Sequence, residues 1–149
     1  MNELEMHRRK LPHWTLSGSV YYLTFSLIDG ALSDREVEIV LSHIKVGHRR
    51  YYNLYAVQVM PNHVHCILKP LQGIALPRIL KGIKGVTARL INKLRGSSGS
   101  IWLDESFDRI IRDEEEFRQK LKYMYENPIR AGLVENPEEY GGWYAPEWE

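Results

Sequence analysis

His63 and His65 stand two positions apart in a run, His63 to Leu68, that reads as a β-strand. Side chains alternate along a strand, so both imidazoles project from one face and Val64 points the other way, into a core. Two imidazoles on one face suit a divalent metal ion. The same spacing occurs in ordinary surface or hydrogen-bonded histidine pairs, and the pattern alone leaves both readings open. Two ligands also do not complete a site. Tyr123 and Asn127 are four apart in a segment with helical character, so they share a helix face one turn from each other. A tyrosine attacks a phosphodiester when a nearby metal polarises the phosphate and helps remove the phenolic proton. A carboxamide oxygen can join the metal. Equally, a helical tyrosine packs its ring and solvates its hydroxyl, and an asparagine before proline is a common helix-end residue. Tyr125 lies about 200° round the helix from Tyr123, so only one of the two can face such a metal.

These residues need a scaffold. Val20 to Leu27 is rich in aromatic and β-branched residues and reads as a strand, closed by Asp29-Gly30. Ser33, with Glu36 three residues on, forms a capping-box signature for a helix ending near Gly47. Leu54 to Met60 reads as a second strand, hairpinned through Pro61-Asn62 to the histidine strand. Pro77 opens a helix to about Leu94, with Ile79, Leu80, Ile83, Val86, Leu90 and Leu94 as its apolar stripe. Asp108 to Arg112 reads as a short fourth strand. Asp113 caps a last helix, Glu114 to about Glu126, which Asn127-Pro128 is expected to stop. The order β-α-β-β-α-β plus a terminal helix predicts an α+β fold. It is a ferredoxin-like split βαβ sandwich, an antiparallel sheet with helices on one face plus a C-terminal tyrosine-bearing helix. The other sheet face is expected to stay free for a ligand. One domain over residues 1–149 is expected, with 1–17 as a flexible basic arm and 135–149 as a short tail.

Charge is segregated. No Asp or Glu occurs from Ile39 to Leu103, a stretch with ten Lys and Arg, while the rest of the chain carries a net −9. Such a field suits a phosphate-backbone binder, although solvated faces that intermix on folding would give the same count. The helix cations Arg78, Lys81, Lys84, Arg89 and Lys93, and Arg8 and Arg9 in the arm, are the candidate DNA contacts. Tyr51, Tyr52 and Tyr55 are candidates to stack on unpaired bases, with core packing expected for at least one. Cys66 is the single cysteine, which excludes an internal disulfide. No stretch approaches the ~20 apolar residues of a membrane span. The charged first residues do not resemble a secretory leader. A cytoplasmic protein without membrane contact is expected.

Met60-Pro61-Asn62-His63-Val64-His65 resembles the His-hydrophobe-His motif of one-tyrosine transposases. Phe107-Asp108-Arg109-Ile110-Ile111-Arg112-Asp113, followed by Tyr123-Met124-Tyr125-Glu126-Asn127-Pro128-Ile129-Arg130-Ala131-Gly132-Leu133-Val134, resembles the C-terminal signature of the REP-associated tyrosine transposase branch. The resemblance runs from about Tyr21 to Val134. It implies Mg²⁺ or Mn²⁺ held by His63, His65 and Asn127, and Tyr123 as nucleophile. It implies cleavage of single-stranded DNA through a 5′-phosphotyrosine with a free 3′-OH, at hairpins formed by repeated palindromes. Monomer and homodimer both fit the wider family, this branch being expected to act as monomers. Members often carry a longer tail than residues 135–149. The alternative is a catalytically silent or domesticated hairpin-DNA-binding protein. A replication-initiator-like nickase would use the same residues on another substrate.

Overall fold

The computed structural model describes residues 18–146. Strand β1 (Val20–Leu27) is followed by helix α1 (Asp34–Gly47), strands β2 (Tyr52–Val59) and β3 (His63–Pro70), and helix α2 (Leu76–Arg95). Strand β4 (Trp102–Ile111) and helix α3 (Glu114–Arg130) come next, then a 3-10 turn (Pro137–Glu139) and a two-residue strand β5 (Trp143–Tyr144). The sheet order is β4-β1-β3-β2-β5, antiparallel at every pairing. Its first four strands have the split βαβ connection expected from the sequence, in an open α+β sheet. The arm residues Arg8 and Arg9 lie outside the described residues.

Alternation divides the sheet into two faces. Leu23, Phe25, Val57, Val59, Val64, Cys66 and Leu68 point to a core covered by α1 and α2. Val20, Tyr22, Ala56, Ile67 and Ile111 point the other way, against Phe117, Leu121, Met124 and Tyr125 of α3. A β-bulge between Leu54 and Ala56 shifts the phase of β2 and puts Ala56 on this second face. The second face is therefore not left free, as the sequence suggested; α3 lies on it. Among the described residues no helix is long and apolar enough to cross a membrane.

The capping box opens α1 as expected: Glu36 N donates to Ser33 Oγ at 3.2 Å and Ser33 N to Glu36 Oε1 at 2.8 Å. Glu36 also receives Arg95 from α2, at 2.6 and 3.0 Å, which ties the two helices. The buried row of α2 is Ile79, Ile83, Thr87 and Ile91, every fourth residue. Leu90 and Leu94, assigned to the stripe from sequence, are exposed, because a helix turns 100° per residue and Leu90 falls off that row. Thr87 enters the core because its hydroxyl is satisfied: it donates to Ile83 O at 2.6 Å and accepts from Trp102 Nε1 at 3.0 Å. An unpaired buried group there would cost about 1–3 kcal/mol.

Two boundaries differ from the sequence reading by about four residues or more, the others by one or two. Strand β4 begins at Trp102 rather than Asp108, because residues 102–107 pair with β1 although their side chains are largely exposed. Helix α3 passes through Pro128 to Arg130. Proline supplies no N–H to the carbonyl four residues back, Met124 O. Here Gln58 Nε2 donates to that carbonyl at 3.0 Å, and the helix continues.

Candidate active site

The site sits where β3 meets the C-terminal half of α3. His63 and His65 share the α3 face of the sheet, with ring centroids 4.6 Å apart. His65 is buried and held by its neighbour strand: Nδ1 lies 2.9 Å from Tyr22 Oη and 3.0 Å from Thr24 Oγ1. Register puts Thr24 directly opposite His65. The Tyr22 ring stacks on the imidazole at 5.7 Å. The outer nitrogen of His65, Nε2, is thereby turned towards α3, 3.5 Å from Asn127 Nδ2. His63 Nδ1 lies 2.6 Å from Asn62 Oδ1. With that carboxamide oxygen as the acceptor, Nδ1 carries the proton and His63 Nε2 keeps its lone pair.

Burial disfavours the charged form of both imidazoles. Burial lowers the His63 pKa. Burial lowers that of His65 to about 3, with the neighbouring His63, Arg130 and Lys120 adding to the effect. A neutral imidazole is the form that binds a metal. Flipping the Asn127 carboxamide would bring Oδ1 towards His65, giving two nitrogens and one oxygen for a divalent ion. The donor set therefore fits such an ion. Among the described residues no cluster of three or more His, Cys, Asp or Glu could hold one instead.

Tyr123 stands beside this pair, its ring centroid 6.1 Å from that of His65 and the side chain about half exposed. Tyr125 is buried on the other side of the helix, 5.0 Å from the Trp143 ring, so the two tyrosines separate as helix geometry requires. The guanidinium of Arg130 lies over the Tyr123 ring at 4.0 Å and donates to the Tyr123 carbonyl. Lys120 Nζ lies 4.9 Å over the Tyr22 ring. Lys120, Tyr123, Asn127 and Arg130 follow at steps of three, four and three, one stripe of α3.

The structure brings His63, His65, Tyr123 and Asn127 together and places the basic helix elsewhere. α2 packs on the opposite face of the sheet, through Ile79, Ile83 and Ile91. Arg78, Lys81, Arg89 and Lys93 are exposed there. Lys84 is partly engaged within the fold, donating to Leu103 O at 2.9 Å and Asp104 O at 3.2 Å. Of the three tyrosines singled out for stacking, Tyr52 is buried and donates to Ile44 O, and Tyr55 packs edge-on against Phe117. Tyr51 alone of the three is exposed. Sequence reasoning missed Tyr22, Thr24, Asn62, Lys120 and Arg130. Arg130 was legible in principle, ten residues from Lys120 on one stripe, once the helix is allowed past Pro128.

The sequence pattern described as "Transposase IS200 like" matches residues 26–123, about two thirds of the chain. The REP-associated tyrosine transposase of Escherichia coli is 27% identical over 93 residues, covering 61% of this chain and 53% of the relative. The chain thus spans about half the length of that relative. A Haemophilus influenzae protein assigned to the same group is 22% identical over 131 residues, 79% of this chain and 74% of the relative. A solved REP-associated tyrosine transposase bound to a REP hairpin superposes with a TM-score of 0.69 at 18% identity, covering 94% of this chain and 90% of that one. At that identity the match speaks for the shared fold. With the pattern match spanning most of the sheet, both histidines and the tyrosine, the chain belongs to the IS200-like transposase family.

Proposed function

We propose that this chain cuts and rejoins single-stranded DNA with Tyr123 as nucleophile. The observation that carries the reading is the convergence on one helical turn of Tyr123, beside His65, and Asn127, 3.5 Å from His65 Nε2. The Tyr123 hydroxyl attacks the phosphorus, the bond to the 3′ oxygen breaks, and the 5′ phosphate stays on the tyrosine. The phenolic proton is lost and the departing 3′ oxygen gains one, so a free 3′-OH results. Attack by another 3′-OH reverses the step and rejoins strands without an external energy source.

His63 and His65, through their Nε2 atoms, and Asn127 would hold Mg²⁺ or Mn²⁺. The bound ion would polarise the phosphate and favour loss of the phenolic proton. Two nitrogen donors suit Mn²⁺ better than Mg²⁺, which prefers oxygen. Arg130 and Lys120 flank the tyrosine and are placed to meet phosphate oxygens near the cut. Arg78, Lys81, Lys84, Arg89 and Lys93 would contact a second part of the substrate, such as a hairpin stem, across the sheet from the chemistry. The hairpin-bound transposase of the same fold supports a hairpin as substrate.

The test is an end-labelled hairpin oligonucleotide with a single-stranded flank, incubated with Mn²⁺. Cleavage should leave a 3′ end that a polymerase extends, and chelation should stop it. Tight, salt-sensitive binding without cleavage under any divalent ion would favour a hairpin-binding protein instead.

A further inference from the structure

Gln58 is a fully buried polar side chain in the middle of a sheet. Its register partners are His65 on β3 and Trp143 on β5. Thr24 pairs with His65 on the far side, so Thr24, His65, Gln58 and Trp143 form one row across four strands, under α3. Each member of the row meets the site or its helix. Thr24 holds His65 Nδ1, His65 Nε2 faces Asn127, Gln58 Nε2 donates to Met124 O at 3.0 Å, and Trp143 packs on Tyr125.

A leucine would fill the Gln58 position without burying polar atoms, and Gln58 Oε1 is buried with no partner among the described residues. Burying an amide half-satisfied is unfavourable, so its other half is the part with a role. Met124 lies between Tyr123 and Tyr125, and Pro128 is what frees its carbonyl within the helix. The donor that takes up this carbonyl comes from the residue beside His65. The proline thus opens the tyrosine turn to a tether from the metal-ligand row.

We propose that Gln58 is a positioning residue: by binding Met124 O it fixes Tyr123 and Asn127 relative to His65. The proposal rests on the nuclease reading above for its consequence in the reaction, and on geometry for the tether itself.

The variant Gln58→Leu keeps the volume and removes the donor. Its kcat on the hairpin oligonucleotide should fall about 10- to 100-fold, the scale of a misplacement near 1 Å, with KM little changed. Nuclear Overhauser contacts between the Tyr123 and His65 rings should weaken. Adding Pro128→Ala gives Met124 O an intrahelical donor again. The double variant should regain any lost thermal stability while kcat stays low. Wild-type kcat and wild-type ring contacts in Gln58→Leu would overturn the proposal, as would recovery of kcat together with stability in the double variant. Should Gln58→Leu fail to fold, the wild-type protein decides. Its Gln58 carboxamide protons should exchange slowly and show contacts to Met124, and a fast-exchanging, averaged carboxamide would overturn the tether. If the wild-type protein cleaves no single-stranded DNA, the functional reading falls, while the Tyr123–His65 contact in Gln58→Leu still decides the positioning role.

Discussion

Asn127 Nδ2 stands 3.5 Å from His65 Nε2, joining residues 62 positions apart at the point where the terminal helix crosses the histidine strand. Asn127→Ala should therefore weaken Mn²⁺ binding while leaving the sheet intact. We expect about a tenfold rise in the Mn²⁺ dissociation constant, the low end for a lost partner at a metal site. Electron paramagnetic resonance of free Mn²⁺ in a titration measures it. Unchanged affinity would remove Asn127 from the ligand set.

Thr24 acts one step further out. Its hydroxyl holds His65 Nδ1 and so aims Nε2. Thr24→Val keeps the β-branched shape and deletes the hydroxyl, leaving Tyr22 as the remaining partner of Nδ1. Loss of such an orienting bond costs about 10- to 100-fold in metal affinity or activity, with Tyr22 keeping the effect near the lower figure. Cleavage rates at limiting and saturating Mn²⁺ separate the two: the variant should recover towards wild type as metal saturates. A defect independent of Mn²⁺ concentration would count against the orienting role.

Acid should destabilise the fold through His65. Burial, helped by His63, Arg130 and Lys120, lowers its pKa to about 3, against 6.5 for an unperturbed histidine. Between those values the unfolded chain binds a proton that the folded chain refuses. Stability is therefore lost as pH falls below 6.5, by at most ~1.4 kcal/mol per pH unit from this group. Denaturant unfolding of metal-free wild type and His65→Gln between pH 7 and 5 checks this. The wild type should lose up to ~2 kcal/mol more than the variant over that range. Parallel curves would show that His65 is not held neutral by the fold.

Gly142 guards the edge that carries Trp143. A Cβ there would lie 2.2 Å from Val59 O, a backbone atom, and 2.5 Å from the Tyr140 ring. Val59 N donates to Gly142 O at 2.8 Å and Tyr140 Oη to Val59 O at 2.6 Å, so neither neighbour moves without losing a bond. Gly142→Ala should lower stability by about 1–3 kcal/mol. A thermal melt measures it, and an unchanged melting temperature would mean that β5 is not fixed to β2 as described.

Much of this was legible in the sequence because it rests on local patterns. Alternation put His63 and His65 on one face, helical spacing joined Tyr123 to Asn127 and separated Tyr125, and Ser33 with Glu36 announced α1. What stayed hidden depends on pairing across the chain. Thr24 meets His65 only through the register of β1 on β3, 41 residues apart. The cations of α2 and the two histidines share one acid-free stretch, yet sequence does not say which sheet face a helix covers. Arg130 was lost at Pro128: a proline usually ends a helix, and the side chain that takes up the carbonyl this one frees comes from β2. Strand β5, two residues long, is too short to leave a periodic signal.

The most direct test of the whole account is a covalent adduct. Hairpin-bearing single-stranded DNA labelled on the 3′ side of the cut should become attached to the wild-type protein in Mn²⁺, as a band that survives denaturing electrophoresis. Peptide mapping should place the label on Tyr123, and Tyr123→Phe should bind the DNA with similar affinity but form no adduct. An adduct that persists in Tyr123→Phe, or cleavage by the wild type with no adduct at any stage, would contradict Tyr123 as the nucleophile.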